Sequence, residues 1–261
     1  MVRLRLLCHA CDSVGGSIST GAFEVTMRKL VFALGVILAG SVVAFAANCP
    51  TTTYDQYIVS GFSCGINDQT FSDFAYTGES NPPGFGVPAG SITVTPITTP
   101  GNPGLQWSAP WFASNNSGIL SQDSLFQFDV NTNPGGSPIT DLSLTIAGVG
   151  FQGTGTVVVD ETACLGAILP TCSGGTIITL EVFDSASGSQ LVDTASFPGV
   201  TEISIAKDIE IQAGTNGQAS LSVVTDQFSE GTATVPEPGT LSMLGLGAAA
   251  LVGFARRKLN F

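Results

Sequence analysis

Histidine and positive charge are nearly absent from this sequence of 261 residues. The single histidine, His9, stands close to the start, and Lys207 is the only basic residue between positions 47 and 235. That stretch therefore cannot supply a Ser-His-Asp or Cys-His arrangement, nor a histidine-ligated zinc site. These two absences exclude the commonest hydrolase and zinc chemistries from most of the chain.

The same stretch carries seventeen Asp or Glu residues against one Lys, which gives a formal charge of −16. Nucleic-acid binding depends on clustered Lys and Arg, so we expect no nucleic-acid partner, and anionic membrane surfaces are disfavoured for the same reason. Cations and neutral polymers remain as partners. A strongly acidic surface is also typical of proteins that only need to stay soluble outside the cell.

Residues 27–46 have the pattern of a secretory signal peptide. Arg28 and Lys29 form a positive n-region, an apolar run follows over 30–39, and Ala44-Phe45-Ala46 is a small-x-small cleavage site. We expect cleavage after Ala46, with an uncleaved membrane anchor as the alternative.

Residues 1–26 precede this signal and are interpreted as an over-extended start or a long n-region. Cys8 and Cys11 have the CxxC spacing of metal sites, but no second ligand pair accompanies them. We therefore predict no metal site there.

The C-terminal residues 234–261 form a second targeting segment, which we call the C-terminal address. The apolar run 241–255 has fifteen residues. As a helix it would extend about 22 Å, short of the roughly 30 Å hydrocarbon core. The basic residues that follow it would stay cytoplasmic and leave the preceding domain outside. The candidate motif residues flank the apolar run on both sides: Val235, Pro236, Glu237, Pro238, Arg256, Arg257 and Lys258.

This order of Val-Pro-Glu-Pro, a short apolar helix and a basic cluster resembles the PEP-CTERM sorting signal. The resemblance implies export by a bacterium that makes exopolysaccharide, and processing of the tail by an exosortase, a membrane-embedded enzyme. It also implies a cell-surface or matrix location, with the C-terminal helix holding the chain in the inner membrane before processing. The alternative is an ordinary single-pass anchor with a chance Pro-Glu-Pro sequence.

The segment between the two addresses, 47–233, predicts an all-β domain. Strand-like stretches recur with Gly- and Pro-rich turns between them, and no amphipathic helix interrupts them. We expect one antiparallel, jelly-roll-like β-sandwich. The predicted strands are 54–62, 70–78, 91–97, 124–130, 139–148, 155–161, 176–184, 189–197, 201–213 and 218–228.

Four cysteines fall in this exported part, where disulfides are chemically plausible. They allow three pairings, and the spacing favours the two local ones, Cys49–Cys64 and Cys164–Cys172. Free or metal-bound thiols are the alternative.

Aromatic residues concentrate in the turn-rich segments 81–90 and 98–112, which carry Phe85, Trp107, Trp111 and Phe112. Trp107 and Trp111 are candidate carbohydrate-binding residues, because flat rings stack on sugars and the nearby Asn115, Asn116 and Asp123 could hold hydroxyl groups. The competing interpretation is core packing, since large aromatic side chains are usually buried.

The functional hypothesis is a non-catalytic, matrix-associated protein that interacts with exopolysaccharide and needs no cofactor. Calcium is the one ion considered, through Asp208 and Glu210 or through Asp160 and Glu161, although no run matches a known calcium loop. The alternatives are a glycan-active enzyme using two carboxylates, for which the sequence selects no pair, and a passive surface protein without a ligand.

Overall fold

A computed structural model describes residues 47–231, so the predicted signal peptide and the C-terminal address lie outside the described residues. This part of the chain is almost entirely β. It also contains a helix α1, Tyr54–Tyr57, and one 3₁₀ turn, Ala89–Ser91. The strands are β1 (Thr52–Thr53), β2 (Ser63–Ile66), β3 (Gln69–Asn81), β4 (Thr93–Ile97), β5 (Gly104–Ser114), β6 (Ser121–Thr132), β7 (Ile139–Ala147), β8 (Gly150–Gln152), β9 (Thr156–Leu165), β10 (Thr176–Ser185), β11 (Gly188–Gln190), β12 (Val192–Val200), β13 (Glu202–Gln212) and β14 (Gln218–Glu230).

Two seven-stranded sheets form the layers of the fold. Sheet A has the order β11-β10-β9-β13-β6-β3-β2, and sheet B has the order β1-β4-β5-β14-β7-β12 with β8 beside β14. All the pairings between these strands are antiparallel. The predicted antiparallel β-sandwich is therefore confirmed.

Alternation along each strand builds the core between the sheets. In β13 the odd-numbered residues 203–211 are buried and face sheet B, while the even-numbered residues from 206 onward are partly exposed on the other face. Aromatic side chains fill the space between the layers: Phe126 of β6 lies 5.1 Å from Tyr54 and 5.8 Å from Trp107, measured between ring centroids. This packing leaves the loops, the edges and the outer faces as surface for function.

The short strands β1, β2 and β8 were not predicted, and the structure differs from the prediction in two further places. Residues 54–57 form α1, because Tyr54 and Tyr57 are spaced to bury both rings on one helical face. Residues 98–112 were predicted as turn-rich, but Gly104–Ser114 form β5. Pro110 lies where the pairing of β5 with β14 shifts register, and a bulge is one of the few places where a strand accepts proline.

Both local disulfides predicted from spacing are confirmed. Cys49–Cys64 ties the segment before β1 to β2, with the two Cα atoms 4.7 Å apart. Cys164–Cys172 closes the loop after β9, with a Cα separation of 5.6 Å. Both distances lie in the ordinary range for disulfides.

Candidate functional site

Trp107 and Trp111 are core residues, each only 1% exposed. They sit at alternating inward positions of β5, and the Nε1–H group of Trp111 donates to Ser124 Oγ at 3.1 Å inside the sandwich. A ring without an exposed face cannot stack on a sugar. The prediction that these two tryptophans bind carbohydrate is therefore wrong, and the core-packing alternative is correct.

One end of the sandwich gathers several connections, and we call it the loop end: residues 82–92, 115–120, 153–155 and 213–217. Backbone hydrogen bonds join some of these connections to one another and to the strand ends beside them. The N–H of Leu120 donates to Asn81 O at 2.7 Å, and the N–H of Ala213 donates to Leu120 O at 2.9 Å. These bonds hold the connections 115–120 and 213–217 against each other.

Exposed apolar side chains stand at this loop end or border it. Phe85 is 52% exposed, Leu120 is 43% exposed and Phe112, near the end of β5, is 36% exposed. The buried Gln122 fixes both phenylalanine backbones: its Nε2–H₂ group donates to Phe85 O at 2.6 Å, and its Oε1 accepts from the N–H of Phe112 at 2.7 Å. Two of the four aromatic residues noted in the sequence are therefore on the surface and share one anchoring side chain.

Primary amides line a shallow pocket of about 180 Å³ at the same end. Asn115 is held in place because its backbone N–H donates to Gly217 O at 3.2 Å and its Nδ2–H₂ group to Gly214 O at 2.8 Å. Amide side chains both donate and accept hydrogen bonds, as hydroxyl-rich ligands require. The pocket is lined by Asn115, Asn116, Gln152, Asn216, Gly217 and Gln218.

Sequence reasoning named Asn115 and Asn116 but missed the other amides of this pocket. Gln152 is the last residue of β8, whereas Asn216 and Gln218 come from the β13–β14 hairpin, far away in sequence. No local pattern connects these segments, so no sequence signal could have found the pocket.

The loop end lies opposite the place where the chain leaves the described domain. Strand β14 begins at the loop end with Gln218 and ends at Glu230, one residue before Gly231. Its thirteen residues correspond to about 40 Å at roughly 3.3 Å per residue. The segment that leads to the C-terminal address thus departs from the far end.

Carboxylates collect on the outer face of sheet A, where Asp208 pairs in register with Asp160 and Glu210 pairs with Asp123. Burial, then the adjoining Asp123 carboxyl and the charges of Glu210 and Asp160, raise the pKa of Asp208 to about 7. Glu161, considered with Asp160 as a calcium ligand, is only 1% exposed and faces the core. The two cannot act together, because neighbours in a strand point to opposite faces.

Within residues 47–231, no group of three or more His, Cys, Asp or Glu side chains has an arrangement that could hold a metal ion.

Among these residues there is likewise no helix of the length and apolar character needed to cross a membrane.

Residues 234–258 match the family model of the PEP-CTERM protein-sorting motif. The chain therefore carries this sorting motif, as its Val-Pro-Glu-Pro sequence and basic cluster predicted. A comparison with curated proteins gave no significant match.

Solved structures with some likeness to the chain include sugar-binding proteins. The module TmCBM61 in complex with β-1,4-galactotriose has a TM-score of 0.30 and 10% identity, over 61% of this chain and 90% of that one. The family 32 module from C. perfringens NanJ in complex with galactose has a TM-score of 0.22 and 18% identity, over 59% of this chain and 93% of that one.

A third similar structure is the enzymatically active domain of tailspike protein 4 of bacteriophage CBA120, with a TM-score of 0.22 and 14% identity. That match covers 62% of this chain but only 19% of the tailspike chain. At TM-scores this low, none of these likenesses says what the present chain binds.

Proposed function

We propose that this chain is an exported, non-catalytic protein of the cell surface or extracellular matrix. An exosortase-type enzyme processes its tail, and its β-sandwich binds exopolysaccharide through the loop end. The sorting motif at 234–258 is the observation that carries the export and the processing. In this proposal the signal peptide is residues 27–46, the sandwich is 47–233 and the address is 234–261.

The glycan interaction is argued from the chemistry of the loop end. Phe85 and Phe112 offer exposed ring faces for the apolar faces of sugars, and the amide pocket offers paired donors and acceptors for hydroxyl groups. A neutral or weakly charged polymer also avoids repulsion by the net negative surface. The distance from Gly231 leaves this end free to meet polymer after the chain is attached through its other end.

The carboxylates argue for binding rather than catalysis. A glycosidase separates its two carboxyl groups by about 5–5.5 Å or about 6.5–9.5 Å across a bound sugar. Asp208 and Asp123 are neighbours on one face of sheet A, close enough for the Asp123 carboxyl to raise the pKa of Asp208, rather than groups that face each other across a sugar.

The test is a titration of the full-length chain, exported and purified from its host, against exopolysaccharide from the same cells, with calcium and with chelator. We expect saturable binding that weakens at least about tenfold, or roughly 1.4 kcal/mol, in the double variant Phe85→Ala, Phe112→Ala. Ile177→Ala is the matched control, because Ile177 is at least as exposed as the two phenylalanines, at 57%, but lies on β10 away from the loop end.

Two results would overturn the proposal. Absence of saturable binding in both conditions would leave a surface protein without this ligand. Release of shortened sugars during the titration would favour the glycan-active enzyme.

A further inference from the structure

A charged triad lies in the middle of the core and consists of Lys207, Glu161 and Asp226. All three side chains are fully buried. Lys207 Nζ is 2.9 Å from Glu161 Oε2 and directly contacts Asp226 Oδ1. The only basic residue of the described domain thus lies inside the core, where it contacts two carboxyl groups and no solvent.

The triad is placed by the central strands of both sheets. In sheet A, Lys207 of β13 pairs in register with Glu161 of β9. In sheet B, Asp226 of β14 lies between Leu105 of β5 and Leu144 of β7. The amine and the carboxyl group therefore meet across the interface between the layers, held from both sides by hydrogen-bonded strands.

The surroundings of the triad are aromatic and apolar. Lys207 Nζ lies 4.4 Å from the ring centroid of Trp107, which in turn packs against Phe126 and Phe128 with centroid distances of 5.8 Å and 5.5 Å. The ring face of Trp107 attracts the ammonium, but an apolar core as a whole stabilises charge poorly, so reactions that turn ions into neutral groups are favoured within it.

Hydrogen bonding leaves the triad incompletely satisfied as an ion cluster. Glu161 Oε1, Asp226 Oδ2 and the neighbouring Trp107 Nε1 are buried without a hydrogen-bond partner among the described residues. Burial, followed by the charge of Glu161, raises the pKa of Asp226 well above its ordinary value, although Lys207 acts in the opposite direction. A raised pKa favours the neutral carboxylic acid, which an amine can attack at carbon, unlike a carboxylate.

We propose that Lys207 and Asp226 condense into an intramolecular isopeptide bond between Nζ and Cγ, with Glu161 as the catalytic residue that carries the proton. The proposal rests on the two contacts of Lys207 Nζ: the nucleophile touches both an electrophile and a base, and all three groups are fixed by paired strands in a core that excludes solvent.

The steps balance in atoms and charge. Glu161 takes one proton from the Lys207 ammonium, which leaves a neutral amine and a neutral acid. The Nζ lone pair then forms a bond to Cγ of protonated Asp226, and the C=O pair moves onto oxygen. As this pair returns, the C–OH bond breaks. The departing hydroxyl takes a second Nζ proton through Glu161 and leaves as water.

The products are an amide, one water molecule and protonated Glu161, and no oxidant, reductant or cofactor takes part. The charges of the ammonium and of Glu161 are both gone from the core. Glu161 can then donate its proton to the oxygen of the new amide. The bond would join β13 to β14, and so sheet A to sheet B, by a link that reduction of the two disulfides does not open.

The test uses the exported protein purified from cells that express the full chain, reduced, unfolded and digested with a protease specific for glutamate. Cleavage after Glu202, Glu210 and Glu230 releases ISIAKDIE (203–210) and IQAGTNGQASLSVVTDQFSE (211–230). We expect the two peptides as one branched species whose mass is their sum less one water, with fragment ions that place the link on Lys207 and Asp226. Two separate peptides from the folded wild-type protein would overturn the proposal and leave an ion cluster.

Variants separate the chemistry from the fold. Glu161→Gln keeps the shape of the side chain but accepts no proton, and we expect at least tenfold less of the branched species; an unchanged yield would overturn the role of Glu161. Lys207→Arg keeps a cation but should give only the separate peptides. Asp208→Asn is the matched control, because it changes a carboxylate one residue away on the opposite face of β13 and should leave the link intact.

Discussion

Lys207 and Asp208 are consecutive residues of β13 that face opposite sides of sheet A. Lys207 points into the core and meets Glu161 and Asp226. Asp208 points outward and lies among Asp123, Asp160 and Glu210 without a cation. Carboxyl groups thus surround both residues, but only the inner group contains a positive charge.

The difference between the two faces follows from solvent. Water and salt screen charges at a surface, so like charges can accumulate there at little cost. In the core, a carboxylate without a partner is strongly destabilising, and each buried charge needs an opposite charge or a proton. The inner triad should therefore contribute most to the free energy of unfolding. The outer cluster, which consists of Asp123, Asp160, Asp208 and Glu210, should mainly determine how stability depends on pH and salt.

The largest effect should come from removing the inner cation. Lys207→Met should lower the free energy of unfolding by about 3–5 kcal/mol, because the buried Glu161 and Asp226 lose the lysine that neutralises them, as a cation before the proposed bond forms and as an amide after it. Urea unfolding followed by the fluorescence of the two buried tryptophans, with the disulfides intact, measures this change.

A triple replacement serves as the control for this experiment. Lys207→Met combined with Glu161→Leu and Asp226→Leu should recover part of the loss, since apolar residues can replace a buried ion cluster. If the single variant is as stable as the wild type, the distinction between the two faces fails.

A smaller effect should come from Asp208→Asn on the outer face. The pKa of Asp208 is raised from 3.8 to about 7. Between these two pH values the folded chain holds a proton on Asp208 that the unfolded chain has lost. Stability contributed by this group is therefore lost as pH rises from about 4 through about 7. We expect the variant to be more stable than the wild type above pH 7, by less than about 1 kcal/mol, because the site is partly exposed.

The pH effect is measured as the difference in melting temperature between variant and wild type at pH 5 and pH 8. Burial and Asp68 also raise the pKa of Glu230 to about 8, but this group titrates in both proteins and cancels in the difference. Added salt should shrink the difference at pH 8. An identical dependence of melting temperature on pH in both proteins would contradict the raised pKa of Asp208.

The smallest effect should come from Glu79→Gln at the margin of the outer cluster. Glu79 pairs in register with Asp123 but is exposed. We expect the free energy of unfolding to change by no more than about 0.5 kcal/mol, as for most surface substitutions. Urea unfolding at low salt checks this, and a loss above 1 kcal/mol would show that the outer cluster is not simply screened.

Much of the architecture was predictable from local pattern. Alternation in residues 201–213 and 218–228 predicted β13 and β14, and the short spacing of the cysteines predicted both disulfides. Strand β5 was missed because Pro110 and the preceding glycines are turn signals. The alternation of Leu105, Trp107 and Trp111 was present in the sequence but received less weight than those signals.

The sequence by itself determined the C-terminal sorting motif, the negative charge, the absence of histidine from the sandwich and the β-sandwich itself, because each depends on composition or on residues close together in the chain. Only the tertiary structure decided which aromatic rings are buried, which amides share a pocket and where Lys207 points. Those features depend on the pairing of distant strands and on the packing of one sheet against the other. A lone lysine looks like a surface residue until sheet B places Asp226 against it.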